Sequence, residues 1–333
     1  MRILKKAFLC SMKFLSPKIK QFLLLLLKLI VVGGAFYFIK NQLTEKDFNW
    51  DIISQTLQKP NAWILVSIIL LLTFSNRFLE ILKWQNLAKV VKPISIWEST
   101  KQVLIGITFG IVTPNGIGEY AGKAWFYDKK HAVKIVFLNA VCNGIQVIFS
   151  VTFGLIGTLY INSLHQFIDS NYILLFFGIL FAVILVILMV KNIRIKGYSL
   201  QTLFKSLNEI PKKIHRKNIV LALFRYLVLI HQYFILYTLF SVEIPYFVLL
   251  AVVASIYLLA SSLPNFQAVD FALKGSVAIY LFSFFGVDGW IVTLVAALIW
   301  LLNLVIPISI GSIFLLIFNP KKDRTLHSAQ TEL

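Results

Sequence analysis

Two short runs of this sequence place an acid four residues ahead of a base just after a Pro-Asn dipeptide: Pro114-Asn115 precedes Glu119 and Lys123, and Pro264-Asn265 precedes Asp270 and Lys274. At that spacing the two charges meet on one helical face and can form an ion pair. A Pro-Asn turn opens a new helical segment that Asn can cap, and Gly116 and Gly118 free the first turn further. One reading makes each run a capped helix start at the water interface, where the acid complements the helix dipole. The other puts the pairs at depth in a membrane, lining a polar pathway. There a charge costs at least roughly 2.5–3.5 kcal/mol and is normally paired.

Further polar residues interrupt apolar runs. Asn139, Asn143, Gln146 and Ser150 follow i, i+4, i+7, i+11 on one helical face. That stripe fits interhelical hydrogen bonding and cavity lining equally well. Arg225 stands seven residues before Gln232 on a shared face, and its planar fork suits bidentate binding of a phosphate head group. Arg77 and Glu80, close to Asn76 and Lys83, read first as a structural ion pair reaching toward the interface. His231 reads as a packed, hydrogen-bonded residue. No nucleotide-binding Gly loop, His-Glu-x-x-His, Gly-x-Ser-x-Gly or close carboxylate cluster occurs. No metal or cofactor is expected, no catalytic residue is assigned, and an enzyme is not the leading expectation. Cys10 and Cys142 are too few for a disulfide framework.

The elements that must position these residues are apolar helices. The chain is 59% hydrophobic and 14% charged, against about 25% charged for ordinary soluble domains. Its net charge of +18 sits in the segments between apolar runs, which is the bias that orients membrane proteins and holds anionic lipid; nucleic acid is not an expected partner. A helix crossing about 30 Å of hydrocarbon needs roughly 20 apolar residues. Six segments meet this: about 22–40, 61–82, 133–161, 171–190, 218–240 and 290–318. Pro307 kinks the last without ending it. Two further regions, Val103–Tyr127 and Phe247–Phe285, are each cut at the Pro-Asn break into pieces too short to span.

Loop charges then assign sides. The basic N-terminus (1–21), the loops around Lys83–Lys101 and Lys129–Lys134, the basic loop 191–217 and the polar tail 319–333 fall on the cytoplasmic face. The expected fold is all-α: a single polytopic transmembrane helix bundle over 22–318, with six full spans plus two broken re-entrant hairpins entering from opposite faces. Both termini are expected in the cytoplasm.

Asn76-Arg77 with Lys83-Trp84, Thr113-Pro114-Asn115-Gly116-Ile117-Gly118-Glu119 with Lys123, and Pro264 followed by a half-helix and Gly286-Val287 together resemble the flippase-like transmembrane domain of bacterial lysylphosphatidylglycerol synthases, which also occurs as a stand-alone membrane protein. The resemblance covers roughly 20–318. It implies a bacterial cytoplasmic membrane location and flippase-like handling of an anionic lipid or lipid-linked glycan, with membrane lipids as partners. The second motif departs: Phe266, Gln267 and Ala268 stand where that family has glycines, and Lys274 falls near its expected glutamate while Asp270 supplies the acid. No soluble aminoacyl-transferase domain follows Phe318 in this sequence, so lysyl transfer is not implied. The alternatives are a membrane-embedded transferase acting on a lipid head group, or a structural membrane subunit. A homo-oligomer or a membrane partner is compatible with the pattern.

Overall fold

The computed structural model describes residues 50–111, 113, 115–169, 171–175, 178, 200–261 and 270–318. Within them every regular element is a helix. Four helices are long and apolar enough to cross a membrane: α2 (Ala62–Ala88), α5 (Ala132–His165), α7 (Lys212–Leu239), and Gly289–Ile317, in which α10 (Gly289–Trp300) and α11 (Ile306–Ile317) are joined by a π-helical turn at Leu301–Val305. Between them lie α1 (Trp50–Leu57), α3 (Ile96–Ile111), α4 (Gly118–Ala124), α6 (Leu200–Asn208), α8 (Tyr246–Ser261) and α9 (Asp270–Ser283). These four long helices match the expected spans at 61–82, 133–161, 218–240 and 290–318. The spans expected at 22–40 and over most of 171–190 lie outside the described residues, as do the N-terminal stretch 1–21 and the tail 319–333.

Several boundaries differ from the sequence reading, each for a local reason. The helix expected to begin at Val103 begins at Ile96. The Ser95 N–H donates to Glu98 Oε2 at 2.7 Å and the Glu98 N–H to Ser95 Oγ at 3.1 Å, a reciprocal capping box that starts the helix inside a polar stretch. The basic segment 191–217 is not a plain loop where it is described: it contains α6 and the start of α7 at Lys212, behind Pro211. Lys205, Lys212, Lys213, Arg216 and Lys217 ride on helix.

The bundle turns apolar side chains outward and holds charged ones inside, among its apolar core. Leu71 and Phe74 of α2 are 62% and 66% exposed, whereas Lys83 on the same helix is fully buried and Asn76 and Glu80 nearly so. A water-soluble bundle shows the reverse. Lipid is the medium that accepts such a surface, and the protein is an all-helical, membrane-embedded one.

Helix directions follow from pairwise contacts. α2 and α7 run antiparallel: Asn86 Nδ2 donates to the Ile214 carbonyl (2.9 Å) at one end, and Lys59 Nζ just before α2 donates to Ser241 Oγ (2.7 Å) just after α7 at the other. α3 and α4 pack as an antiparallel short-helix pair against the first end, where Trp97 meets Phe314 and Phe126 meets Phe318. α8 and α9 form the second pair at the opposite end, beside the C-terminal halves of α5 and α7, where His165 meets Phe285. Close approach fixes both. A Cβ on Gly118 would lie 2.0 Å from the Phe109 carbonyl oxygen, and one on Gly157 of α5 would lie 2.6 Å from the Ala251 carbonyl of α8.

Candidate functional site

The polar residues of the four long helices converge at mid-length. The middle of α2 falls at about residue 75, of α5 at about 148, of α7 at about 225 and of Gly289–Ile317 at about 303. Asn76 and Arg77, Gln146 and Ser150, Arg225, and Asn303 stand at or beside these points and all line one cavity of about 260 Å³. Arg225 is thirteen residues from the start of α7 and fourteen from its end, roughly 20 Å either way at the rise of an α-helix.

Asn303 ties the helices together. Its Nδ2 donates to Gln232 Oε1 (2.9 Å), its Oδ1 accepts from Asn76 Nδ2 (2.6 Å), and its carbonyl accepts from the Arg77 guanidinium. That carbonyl stands four residues before Pro307, which has no N–H to return to it. The kink expected at Pro307 is therefore a π turn whose open carbonyl is taken by an arginine from α2. Gln232 in turn donates to Thr73 Oγ1 at 2.6 Å.

Glu80 is shared by two arginines. Arg77 pairs with it directly, and Arg225 NH2 approaches the same oxygen at 3.3 Å while Arg225 Nε donates to Asn76 Oδ1 at 2.9 Å. The Arg77–Glu80 pair read from the sequence is thus present, but its arginine lines the inner cavity instead of reaching toward an interface. Arg225 and Gln232 do share a face, and both join this network. Sequence spacing within α2 and α7 could not show that Glu80 bridges them, nor that Asn303 is the hub, because both depend on contacts between helices distant in the chain.

The two acid–base pairs end in different places. Asp270 and Lys274, at the start of α9, lie 2.5 Å apart and line the cavity, with the Lys274 ammonium 4.4 Å over the Tyr257 ring. Glu119 and Lys123, in α4, lie 2.6 Å apart but are enclosed in protein: Lys123 is fully buried, donates to Asn139 Oδ1 at 2.8 Å and sits 4.6 Å over the Trp84 ring. They are not among the residues lining the cavity. The stripe on α5 divides accordingly. Asn139 serves the buried pair, Asn143 is half-buried between the two regions, and Gln146 lines the cavity while accepting from Lys83 Nζ at 3.3 Å. His231 hydrogen-bonds Tyr246 and the Leu227 carbonyl near the surface.

The first break is built differently from a simple Asn cap. Asn115 and Gly116 take left-handed φ of 49° and 67°, conformations that Asn and Gly tolerate best. Thr113 supplies the fastening: its hydroxyl donates to the Gly110 carbonyl (2.9 Å) and accepts from the Gly118 N–H (2.7 Å). Pro114, Pro264 and Asn265 lie outside the described residues. Among the described residues, no group of three His, Cys, Asp or Glu side chains is arranged to hold a metal ion.

Fold and site together define a membrane-embedded helical protein with a polar, ion-paired cavity at the mid-length of its long helices. No family model and no curated protein matches the chain.

Proposed function

We propose that the protein handles lipid, moving an anionic lipid or lipid-linked glycan across a bacterial cytoplasmic membrane in the manner of a flippase. The observation that carries this reading is the charge of the mid-length cavity. Arg77, Arg225 and Lys274 line it together with Asp270, and Glu80 pairs with both arginines from behind the lining, so among these described residues one positive charge is left over for a ligand. Two buried N–H groups of lining residues, Arg77 Nε and Trp300 Nε1, have no hydrogen-bond acceptor among the described residues. A phosphate supplies negative charge and acceptors together.

The topology proposed with it has six full spans and two re-entrant hairpins from opposite faces, both termini being cytoplasmic. The packing of α3–α4 and α8–α9 at opposite ends of the long helices supports it, and broken helices meeting near the midplane are how many secondary transporters form a site. Liposomes containing the reconstituted protein and head-group-labelled phosphatidylglycerol test the function. Asp270→Asn and Arg225→Gln should each slow transbilayer movement by about tenfold; unchanged rates in both variants, with normal insertion, reject the site. Single cysteines at Asn115 and Asn265 should be labelled from opposite faces, and labelling of either from the other face rejects the topology.

A further inference from the structure

Next to the polar cavity lies an apolar groove of about 380 Å³ between α5, α7 and α8. Neighbouring residues divide between the two. On α7, Arg225 and Leu229 line the cavity while Tyr226 and Ile230 line the groove; on α5, Ser150 lines the cavity and Phe153 the groove. The wall they share contains the Phe153–Tyr226 stack, with ring centroids 5.0 Å apart and planes 14° from parallel. Tyr226 is 3% exposed, and its hydroxyl is buried without a hydrogen-bond partner among the described residues. A purely packed aromatic there would be better as phenylalanine, because a buried hydroxyl that bonds nothing is destabilising. At the rim of the groove Ile156 and Leu227 are 59% and 37% exposed, so the groove opens on the apolar outer surface.

We infer that cavity and groove are the two halves of one site for a glycerophospholipid. The phosphate sits among Arg77, Arg225 and Lys274. One acyl chain lies in the groove, reached from the bilayer between Ile156 and Leu227. The Tyr226 hydroxyl donates to an acyl ester oxygen, the acceptor such a lipid carries at the junction of head group and chain. A soluble phosphate would use the cavity and leave the groove empty; a polyprenyl phosphate would fill the groove and leave the hydroxyl without its ester. The inference rests on the lipid-handling reading and narrows its substrate.

The full chain in phosphatidylcholine nanodiscs, given phosphatidylglycerol with a diazirine in mid-chain, tests it by peptide mapping of the photoproducts. Crosslinks are expected within 153–160, 226–230 and 247–254. The double variant Ile156→Trp/Leu227→Trp, which changes only rim side chains, should cut that labelling by about tenfold, the effect of losing contact with about two methylenes. Tyr226→Phe should cut it about threefold while leaving thermal stability in lipid-free detergent unchanged or raised. Equal labelling by a neutral phosphatidylcholine probe, crosslinks to residues 171–190 or to a second copy, or labelling indifferent to the rim variants would each overturn the two-part site. If the groove is labelled as expected but liposomes show no transbilayer movement, the site stands and translocation fails. If Arg225→Gln slows movement while the groove stays unlabelled, translocation stands and the groove fails.

Discussion

Glu119–Lys123 and Asp270–Lys274 have the same spacing, the same position at the start of a short helix and nearly the same separation, 2.6 and 2.5 Å. Their surroundings differ. Lys123 is closed in by Asn139 and Trp84 with no exposed surface, while the side chains of Lys274 and Asp270 keep 18% and 29% exposure and face the cavity. One pair holds a short-helix pair in the bundle; the other is offered to whatever occupies the cavity. A local motif fixes that two charges meet, and the neighbours brought by the rest of the chain decide whether anything else can reach them.

The largest expected effect separates the pairs by stability. Lys123→Met leaves the Glu119 carboxylate buried without its cation, which should cost about 3–5 kcal/mol and show as lost yield and a lower unfolding temperature in detergent. The double variant Glu119→Gln/Lys123→Met removes the stranded charge and should recover most of that loss. Lys274→Met, in the partly open pair, should cost no more than about 1 kcal/mol yet slow transbilayer lipid movement by about tenfold, worth about 1.4 kcal/mol. If Lys274→Met proves as destabilising as Lys123→Met, the two pairs have one role and the distinction is broken.

Much of this contrast was legible in the sequence and part was not. The long spans are set by the length of apolar runs, and the breaks by Pro and Gly within them, so they could be read along one dimension. The ion pairs could be read too, since i,i+4 is a property of one helix. The start of α3 was missed although Ser95 and Glu98 carried the capping signal, because Glu98, Lys101 and Gln102 hid it inside a charged stretch. What no local pattern gives is which face of α4 meets α5: Lys123 finds Asn139 across a turn between helices, and Arg225 finds Glu80 from 145 residues away. For want of that information the sequence leaves both pairs between two readings, a capped helix start and a pathway lining.

A smaller effect sharpens the comparison of the breaks themselves. Thr113→Val removes the two shorter hydrogen bonds of the hydroxyl that links the end of α3 to the start of α4, to the Gly110 carbonyl and from the Gly118 N–H, along with a long contact to the Phe109 carbonyl. Each is worth about 1 kcal/mol net, so the loss should be about 1–2 kcal/mol by thermal unfolding. Lipid movement should change little, because the buried pair positions the hairpin and does not line the cavity. A tenfold loss of transport at unchanged stability would place the first break in the pathway after all.

The smallest expected effect concerns a third proline, which interrupts a helix without breaking it. At Pro307 the helix continues from Gly289 to Ile317 through a π turn, and the carbonyl that a broken ladder would leave open is taken by Arg77. Pro307→Ala restores an N–H that competes for the Asn303 carbonyl. Stability should rise or stay within about 1 kcal/mol, because the ladder regains a bond as the arginine loses one. Arg77 would then be held by Glu80 alone among these partners and would gain freedom toward the cavity, changing transport by no more than about threefold. A fall in stability well beyond that range would mean that the arginine-filled turn is itself a support of the bundle. Its contrast with the first break would then lie in who fills the gap: a neighbouring helix at Pro307, a threonine of the same hairpin at Thr113.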